Sequence, residues 1–200
     1  MLLSAENLCF SYPGRPVIEN LSFSLAEGGR LIVCGPNGCG KTTLLKLILG
    51  LLKPDSGRMT LREGLSVSYC KQDFPNLDFP ISAAEVVKMG LYKHRTAVEN
   101  TAVRRAMEKT GCAELADRLF SSLSGGERQR VSLARCFCQN ANLVLLDEPS
   151  SFLDSGSRNT LCSLLSTLGT DDFAVIAVTH DSEVFRSLGW RELRLGGSNG

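Results

Sequence analysis

The chain contains 200 residues, 43% of them hydrophobic and 22% charged, which is the composition of a globular protein that buries a sizeable core. Its 22 Lys and Arg residues almost balance its 21 Asp and Glu residues, so the net charge is only +1. This balance excludes a broad cationic surface and argues against nucleic acid as a partner. We therefore expect local sites to carry the function.

The eight cysteines include neither a C-x-x-C pair nor a histidine at zinc-finger spacing, so we do not expect a structural zinc site. The first residues lack the basic and apolar regions of a signal peptide. This predicts a chain kept in a reducing compartment, with its thiols packed as small hydrophobic groups. The longest strongly apolar run, residues 44–52, is much shorter than the ~20 residues of a membrane-spanning helix.

The elements predicted along the chain alternate between strands and helices after a strand-rich beginning. Residues 2–10 and 21–25 are predicted to be short strands, with a turn at 12–14. The run 30–34 is apolar on both faces, as in a buried strand of a parallel sheet, and a helix is predicted over 41–49. Further strands are predicted at 58–61, 66–70, 143–146, 173–178 and 190–195, and further helices at 82–90, 97–110, 126–138, 155–168 and 182–188. This order is typical of a parallel α/β sheet with a helical insertion.

Between the strand at 30–34 and the helix at 41–49 lies a glycine-rich segment that matches the phosphate-loop pattern G-x-x-x-x-G-K-[ST]. Its glycines allow successive N–H groups to face an anion, and the helix N-terminus adds its positive dipole end. Lys41 is predicted to reach the β- and γ-phosphates, and the Thr42 hydroxyl to bind Mg²⁺. The predicted nucleotide contacts are Gly35, Pro36, Asn37, Gly38, Cys39, Gly40, Lys41, Thr42 and Thr43.

Two adjacent acidic residues, Asp147 and Glu148, follow the apolar strand predicted at 143–146. Ligands of open α/β sheets bind beside the carboxyl ends of such strands. Asp147 is predicted to be a partner of Mg²⁺, and Glu148 to polarise an attacking water. An apolar strand that ends in an acidic turn is also a common structural feature, but a phosphate loop in the same chain favours the catalytic interpretation.

Residues 123–130, Leu-Ser-Gly-Gly-Glu-Arg-Gln-Arg, resemble the signature motif of the ATP-binding-cassette ATPases. Other elements follow in the order found in that family. Tyr12 resembles the aromatic residue that stacks on adenine, Gln72 the Q-loop glutamine and His180 the switch histidine, while residues 151–154 resemble the D-loop. Taken singly, Tyr12 could be a turn residue, Gln72 a solvated polar residue and His180 a loop histidine. Together they extend the resemblance over essentially the whole chain.

The resemblance implies a P-loop NTPase fold of the RecA-like type. Its parallel-sheet core would carry N-terminal antiparallel strands and an inserted α-helical subdomain. We expect one nucleotide-binding domain over residues 1–200. The ATP-binding core would comprise residues 1–73 and 141–200, and the helical subdomain, which contains the signature motif, residues 74–140.

The resemblance also implies a mechanism in which two cassettes face head to tail, with ATP and Mg²⁺ as cofactors. The signature motif of one chain would close over the γ-phosphate held by the phosphate loop of the other. The residues assigned in this way are Glu148, His180 and Gln72 for catalysis, Tyr12, Ser124, Gly125, Gly126 and Asp154 for nucleotide contacts, and Thr42, Gln72 and Asp147 for Mg²⁺.

A transport function is favoured within the family, because this chain has one cassette and only a short helical insertion. Chromosome- and repair-type members carry a long coiled coil, and translation-type members usually carry two cassettes. The implied partners are a second ATPase subunit, in a homodimer, together with transmembrane permease subunits and a substrate-binding protein. The chain would then act at the cytoplasmic face of the cell membrane.

Residues 77–80, 85–87 and 89–92 resemble the stretch that follows the Q-loop in zinc- and manganese-importing cassettes, and more loosely that of iron-chelate importers. This favours a metal-ion importer. The short chain instead resembles compact exporter cassettes such as those for haem, and a non-transport ATPase is the remaining alternative.

Three positions depart from the family pattern: Lys71, Phe152 and Cys39. None of them removes a catalytic group. Cys39 stands inside the phosphate loop, so we hypothesise that alkylation of this thiol blocks ATPase activity and that bound nucleotide protects it.

Overall fold

The computed structural model describes residues 1–71, 79–91, 98–151, 153–167, 173–180 and 182–196. The strands are β1 (Leu3–Tyr12), β2 (Arg15–Leu25), β3 (Arg30–Cys34), β4 (Ser56–Leu61), β5 (Val67–Cys70), β6 (Leu143–Asp147), β7 (Ala174–Thr179) and β8 (Arg191–Arg194). The helices are α1 (Lys41–Ile48), α2 (Ala83–Lys88), α3 (Val98–Lys109), α4 (Gly125–Cys138), α5 (Ser155–Thr167) and α6 (Glu183–Arg186).

A parallel sheet with strand order β5-β6-β7-β3-β8 forms the centre of the molecule. The residues of β6 and β7 are all buried, since both faces of the sheet are covered. Because the strands are parallel, the segments that follow β3, β6 and β7 all leave the sheet at one edge. Ligands of such sheets bind at that edge.

Successive residues of the central strands enter two separate apolar cores, as the alternation of side chains in a strand requires. Leu31 and Ile176 pack on one face with α1 and the antiparallel strands. Ile32 and Val175 pack on the other face with residues of α4 and α5. Each face of the sheet is therefore covered by its own set of elements.

A second sheet, with strand order β2-β1-β4, is antiparallel throughout. Its apolar side chains, including Leu3, Leu8 and Ile18, join the core that contains α1. The parallel sheet and the antiparallel strands together confirm the predicted mixed α/β fold.

Helices α2, α3 and α4 pack around a third apolar core, which includes Val86, Met107 and Val131. These helices lie between β5 and β6 in the chain, as an insertion into the α/β unit would. Helix α4 also contributes Leu133 and Cys136 to the core beneath the parallel sheet, so it joins the helical lobe to the sheet. The exact boundaries proposed for the helical subdomain remain a prediction.

Strand β2 is longer than its sequence indicated, since it begins at Arg15 and not near Leu21. Its first half contains Pro16, which an edge strand tolerates because the missing N–H faces no partner. Asn20 then adopts a positive φ of 48°, which interrupts the alternation of apolar residues. The period-two pattern is therefore visible only from Leu21 onward. The longer strand forms a hairpin with β1 and places Arg15 opposite Tyr12.

In the described ranges, no helix has both the length and the apolar character needed to cross a membrane.

Candidate active site

The glycine-rich segment connects β3 to α1 and has the backbone that its glycines allow. Gly38 and Gly40 adopt φ values of +80° and +103°, in the region that side chains disfavour. A Cβ on Gly40 would also lie 2.8 Å from the Cγ1 atom of Val17, so this turn fits beneath β2 only as glycine. The antiparallel sheet therefore holds the loop in place.

Lys41, the first residue of α1, is almost fully buried in this loop. Its Nζ atom donates to the carbonyl oxygens of Gly35, at 2.9 Å, and Pro36, at 3.1 Å. The same atom lies 3.9 Å from Oε1 of Glu148. The ammonium group is thus held between the phosphate loop and the acidic end of β6.

Glu148 follows β6 in a left-handed conformation, with a φ of 49° that is unusual for a residue other than glycine. Its N–H donates to the carbonyl of Val178 at 2.8 Å, which keeps the chain at the sheet edge. Its Oε2 atom accepts from the Ser151 hydroxyl at 3.3 Å, from the His180 backbone N–H at 3.3 Å, and bonds the His180 Nδ1 at 2.8 Å. The backbone conformation and these bonds fix the carboxylate beside Lys41.

Asp147 is the last residue of β6, and its carboxylate accepts a 2.7 Å hydrogen bond from the Tyr69 hydroxyl. Burial raises the pKa of Asp147 above its ordinary value, and the adjacent Glu148 charge adds to this effect. Burial and the same hydrogen bond raise the pKa of the Tyr69 phenol. An ionised Asp147 is therefore costly here unless a cation lies nearby.

The donor set beside Asp147 suits Mg²⁺, which prefers oxygen ligands and is usually held by one or two carboxylates together with substrate phosphates. Asp147 and Thr42 both line the same cleft and supply a carboxylate and a hydroxyl. Gln72, the third predicted magnesium ligand, lies outside the described residues, so its predicted catalytic and metal roles remain untested.

A cleft of about 700 Å³ brings many of the predicted residues together, a volume typical of small-ligand sites. The predicted site residues that line this cleft are Tyr12, Asn37, Gly38, Gly40, Lys41, Thr42, Thr43, Asp147, Glu148 and His180. Tyr12 lies at its margin, 38% exposed, with its ring edge-on to that of Phe10 at 5.0 Å. The lining of the cleft thus includes an aromatic ring as well as Lys41 and the two carboxylates.

The cleft also contains residues that sequence reasoning missed: Arg15, Val17, Ser150, Ser151 and Arg158. Ser151 belongs to the segment that resembles a D-loop, and this resemblance could have identified it as a residue of the cleft. Arg15 follows the predicted turn by one residue, but its place in the cleft depends on how far β2 extends.

Cys39 belongs to the phosphate loop, but its side chain lines a different cleft, with Val17, Glu192 and Gly196. A Cβ placed on Gly35 would lie 2.7 Å from the Cys39 sulfur. The thiol therefore packs behind the loop and touches its backbone. Any effect of Cys39 on nucleotide binding must act through the shape of the loop.

The signature motif forms the start of α4. Ser124 is the N-cap: its hydroxyl accepts from the Glu127 N–H at 3.3 Å, and its own N–H donates to the Glu127 carboxylate at 2.7 Å. The bonds from Ser124 lower the pKa of Glu127, with a further contribution from Arg118. Gly126 packs against α5, where a Cβ would lie 2.4 Å from the Ser157 hydroxyl oxygen.

Within one chain the signature motif does not reach the phosphate loop. Ser124 and Gly126 line a separate cleft of about 220 Å³ that shares no residue with the first. Asp154 lies near this second cleft as the cap of α5, and its carboxylate accepts from the Ser157 N–H at 2.8 Å and from its hydroxyl at 3.2 Å. These bonds lower the pKa of Asp154. The predicted nucleotide contacts therefore lie on two distinct surfaces.

A family model described as "ABC transporter" matches residues 18–151. The chain belongs to this family. The cassette is an ATPase with a P-loop NTPase fold, as its resemblance implied.

Relatives of known role support this assignment. The cassette is 34% identical to the manganese transport system ATP-binding protein MntB of Bacillus subtilis, over 88% of this chain and 76% of that protein. It is 36% identical to the hemin import ATP-binding protein HmuV of Escherichia coli O157:H7, over 90% of this chain and 77% of that protein. Among solved structures it resembles a dimeric, post-hydrolysis ATP-binding cassette bound to ADP and Pi, with 27% identity, a TM-score of 0.82 and coverage of 97% and 94% of the two chains.

The environment of Asp147 predicts that removing its charge has opposite effects on the stability of the nucleotide-free fold and on magnesium binding. A carboxyl group whose pKa is raised by folding stabilises the fold when protonated, and that stability is lost as the pH rises through its pKa. Asp147→Asn removes the charge and can still accept from Tyr69. We expect it to raise the melting temperature of the nucleotide-free cassette, because the buried side chain then carries no charge.

If Asp147 holds Mg²⁺, the same variant should lose the additional stabilisation that the ion gives to the ATP-bound protein, as measured by thermal melts with and without the ion. Asp147→Ala is the control, since it leaves the Tyr69 hydroxyl without its acceptor and should lower the melting temperature. A lower melting temperature for Asp147→Asn would contradict the explanation from burial.

The position of Cys39 predicts inactivation by thiol reagents through distortion of the loop. N-ethylmaleimide should reduce ATPase activity at least about tenfold, because the adduct must displace the backbone at Gly35. Cys39→Ala should retain activity in the same reagent, and saturating ATP should slow modification of the wild type. Phosphate release measures the ATPase activity, and peptide mass spectrometry of the same samples measures the fraction of Cys39 that is modified. Full activity with Cys39 completely modified would refute the hypothesis.

Proposed function

We propose that this cassette is the ATP-hydrolysing subunit of a metal-ion importer and energises a separate membrane permease. The observation that most supports ATP hydrolysis is the meeting of the phosphate loop, Lys41 and the Glu148–His180 pair in one cleft. The two relatives named for manganese transport and hemin import support an importer of metals or metal chelates.

Nucleotide binding would use both ends of the cleft. The adenine base would stack on Tyr12, and the triphosphate would lie along the phosphate loop with its negative charge facing Lys41. Thr42 and Asp147 would hold Mg²⁺, which would offset the negative charge that develops on the phosphates. The buried position of Asp147 fits this role, because a nearby cation relieves the cost of its ionised form.

Hydrolysis would then require a water aligned with the γ-phosphate. Glu148 is the best-placed group to orient this water and accept its proton, since its carboxylate lies beside Lys41 at the carboxyl end of β6. His180 holds Glu148 through its Nδ1 atom, and its Nε2 atom would contact the γ-phosphate.

The signature motif would complete the site from a second cassette. The Ser124 hydroxyl accepts from Glu127, which leaves its own proton free to donate to a phosphate oxygen. Neighbouring N–H groups at the start of α4 add to this anion site. Because the two clefts of one chain share no residue, we infer a head-to-tail homodimer, and the similar dimeric cassette bound to ADP and Pi supports this arrangement.

The permease would dock on the helical lobe. Phe79, Met89 and Leu119 expose large apolar surface there, at 54%, 52% and 46%. Ser82 forms an isolated β-bridge with Leu119, which brings the segment before α2 beside that residue. In this proposal the cassette works at the cytoplasmic face of the membrane, and a substrate-binding protein delivers the cargo to the permease on the other side.

For cargo we favour zinc or manganese, and iron after them. The choice rests on the similarity of residues 77–80, 85–87 and 89–92 to zinc- and manganese-importing cassettes and on the manganese transport relative. Haem is the second candidate, favoured by the relative named for hemin import.

The proposed role of Glu148 predicts separable effects on binding and turnover. Glu148→Gln should reduce ATPase activity by about 10²–10⁴-fold, the usual contribution of a general base, because the amide accepts no proton. ATP affinity should change little, since the amide oxygen still accepts from His180. Phosphate release and calorimetric titration with ATP measure the two quantities. Activity above a tenth of wild type would exclude Glu148 as the base.

The cargo is tested by growth of a host that lacks its own metal uptake. Co-expression of the cassette with a metal-importer permease from the same genome should restore growth in zinc- or manganese-poor medium. Lys41→Ala, expressed at the same level, should not, because its phosphate loop lacks the ammonium group. Rescue by haem but by neither metal ion would overturn the choice of cargo and retain the transport function.

A further inference from the structure

The β1–β2 hairpin places an arginine over the phosphate loop. Tyr12 and Arg15 pair across the turn formed by Pro13 and Gly14, where Gly14 has a φ of +73°. The Nη2 atom of Arg15 lies 3.6 Å from the position of a Cβ on Gly38. Its guanidinium group is therefore next to the loop backbone and lines the nucleotide cleft.

The position of this arginine is set by packing farther along β2. Val17 fills the space above Gly40, so the strand lies directly on the phosphate loop. The side chains of residues 15 and 17 both line the cleft, one over each glycine. Arg15 thus belongs to a strand that packs directly on the phosphate loop, and its side chain is exposed.

Unlike Arg62 and Arg118, Arg15 has no internal partner among the described residues. Arg62 pairs with Glu27 at 2.8 Å, and Arg118 pairs with Glu127 at 2.9 Å. In the described part of the chain, no carboxylate or carbonyl oxygen bonds the guanidinium of Arg15. Lys41, by contrast, is already bonded to the loop carbonyls and lies near Glu148.

We infer that Arg15 is a second phosphate-binding cation of this site and contacts the α- and β-phosphates on the side of the loop opposite Lys41. This inference rests on the proposed nucleotide site. Arg15 stands between Tyr12, at the predicted adenine end, and Gly38 of the phosphate loop, which is where those phosphates would pass. A guanidinium group donates two parallel N–H bonds to a phosphate, and charge-assisted bonds of this kind are strong.

Binding affinities for ATP, ADP and AMP, measured by calorimetric titration in the presence of Mg²⁺, test this role. Arg15→Ala should weaken the binding of ATP and ADP by similar factors of about tenfold or more, because both contain the α- and β-phosphates. It should weaken the binding of AMP by a smaller factor. Arg15→Lys should recover part of the loss, since it restores the charge without the paired N–H groups.

Arg58→Ala is the matched control. Arg58 is also an exposed arginine, and it lies on β4 at the opposite edge of the same sheet, outside the cleft. The Arg58→Ala variant should bind all three nucleotides as the wild type does, and both alanine variants should melt at the wild-type temperature.

Several results would overturn the inference. They are unchanged ATP affinity in Arg15→Ala, an equal loss for all three nucleotides, or an equal loss in Arg58→Ala, which would indicate only a net-charge effect. A loss confined to ATP would overturn the assignment to the α- and β-phosphates. Failure of the wild-type cassette to bind ATP would instead refute the proposed nucleotide site.

Discussion

The parallel register of β3, β7 and β6 is the constraint on which the site depends. Cys34 pairs with Thr179, and Val178 pairs with Asp147, so the three strands end at nearly the same height. The phosphate loop, His180 and Glu148 are the next segments of chain after those strands, and they have to meet. Each strand is buried on both faces, so a shift of register would disrupt two apolar cores as well as the site.

The electrostatics follow from this convergence. Lys41, Asp147 and Glu148 are all largely buried at the sheet edge, where isolated charges are costly and paired charges are tolerated. The two carboxylates meet one buried ammonium group. Burial, with a smaller contribution from the charge of Glu148, raises the pKa of Asp147. A magnesium ion would correct this imbalance of charge, and a triphosphate would in turn be balanced by the loop N–H groups, Lys41 and Arg15. The nucleotide-free site is therefore built for a charge pattern that its ligand completes.

The sequence predicted the parts of the fold that depend on local patterns. The apolar runs of β3, β6 and β7 and the phosphate loop can each be recognised within a few residues. Burial on both faces requires consecutive apolar residues, and the tight turn of the loop requires glycines at a fixed spacing. The bond between Tyr69 and Asp147 spans 78 residues, and the extent of β2 depends on its edge position and on Asn20. Such features arise from packing between distant segments. The exposed orientation of Arg15 and the position of the Cys39 thiol behind the loop were hidden for the same reason.

The two clefts of one chain are connected by contiguous contacts. Glu148 bonds Ser151, and three residues later Asp154 caps α5 through Ser157. Ser157 in turn packs against Gly126 of the signature motif, so closely that no side chain fits there. A change in the position of Glu148 during hydrolysis would therefore reach the signature surface of the same chain. In the proposed head-to-tail dimer that surface contacts the partner's nucleotide, so this series of contacts gives each site a physical route to the other.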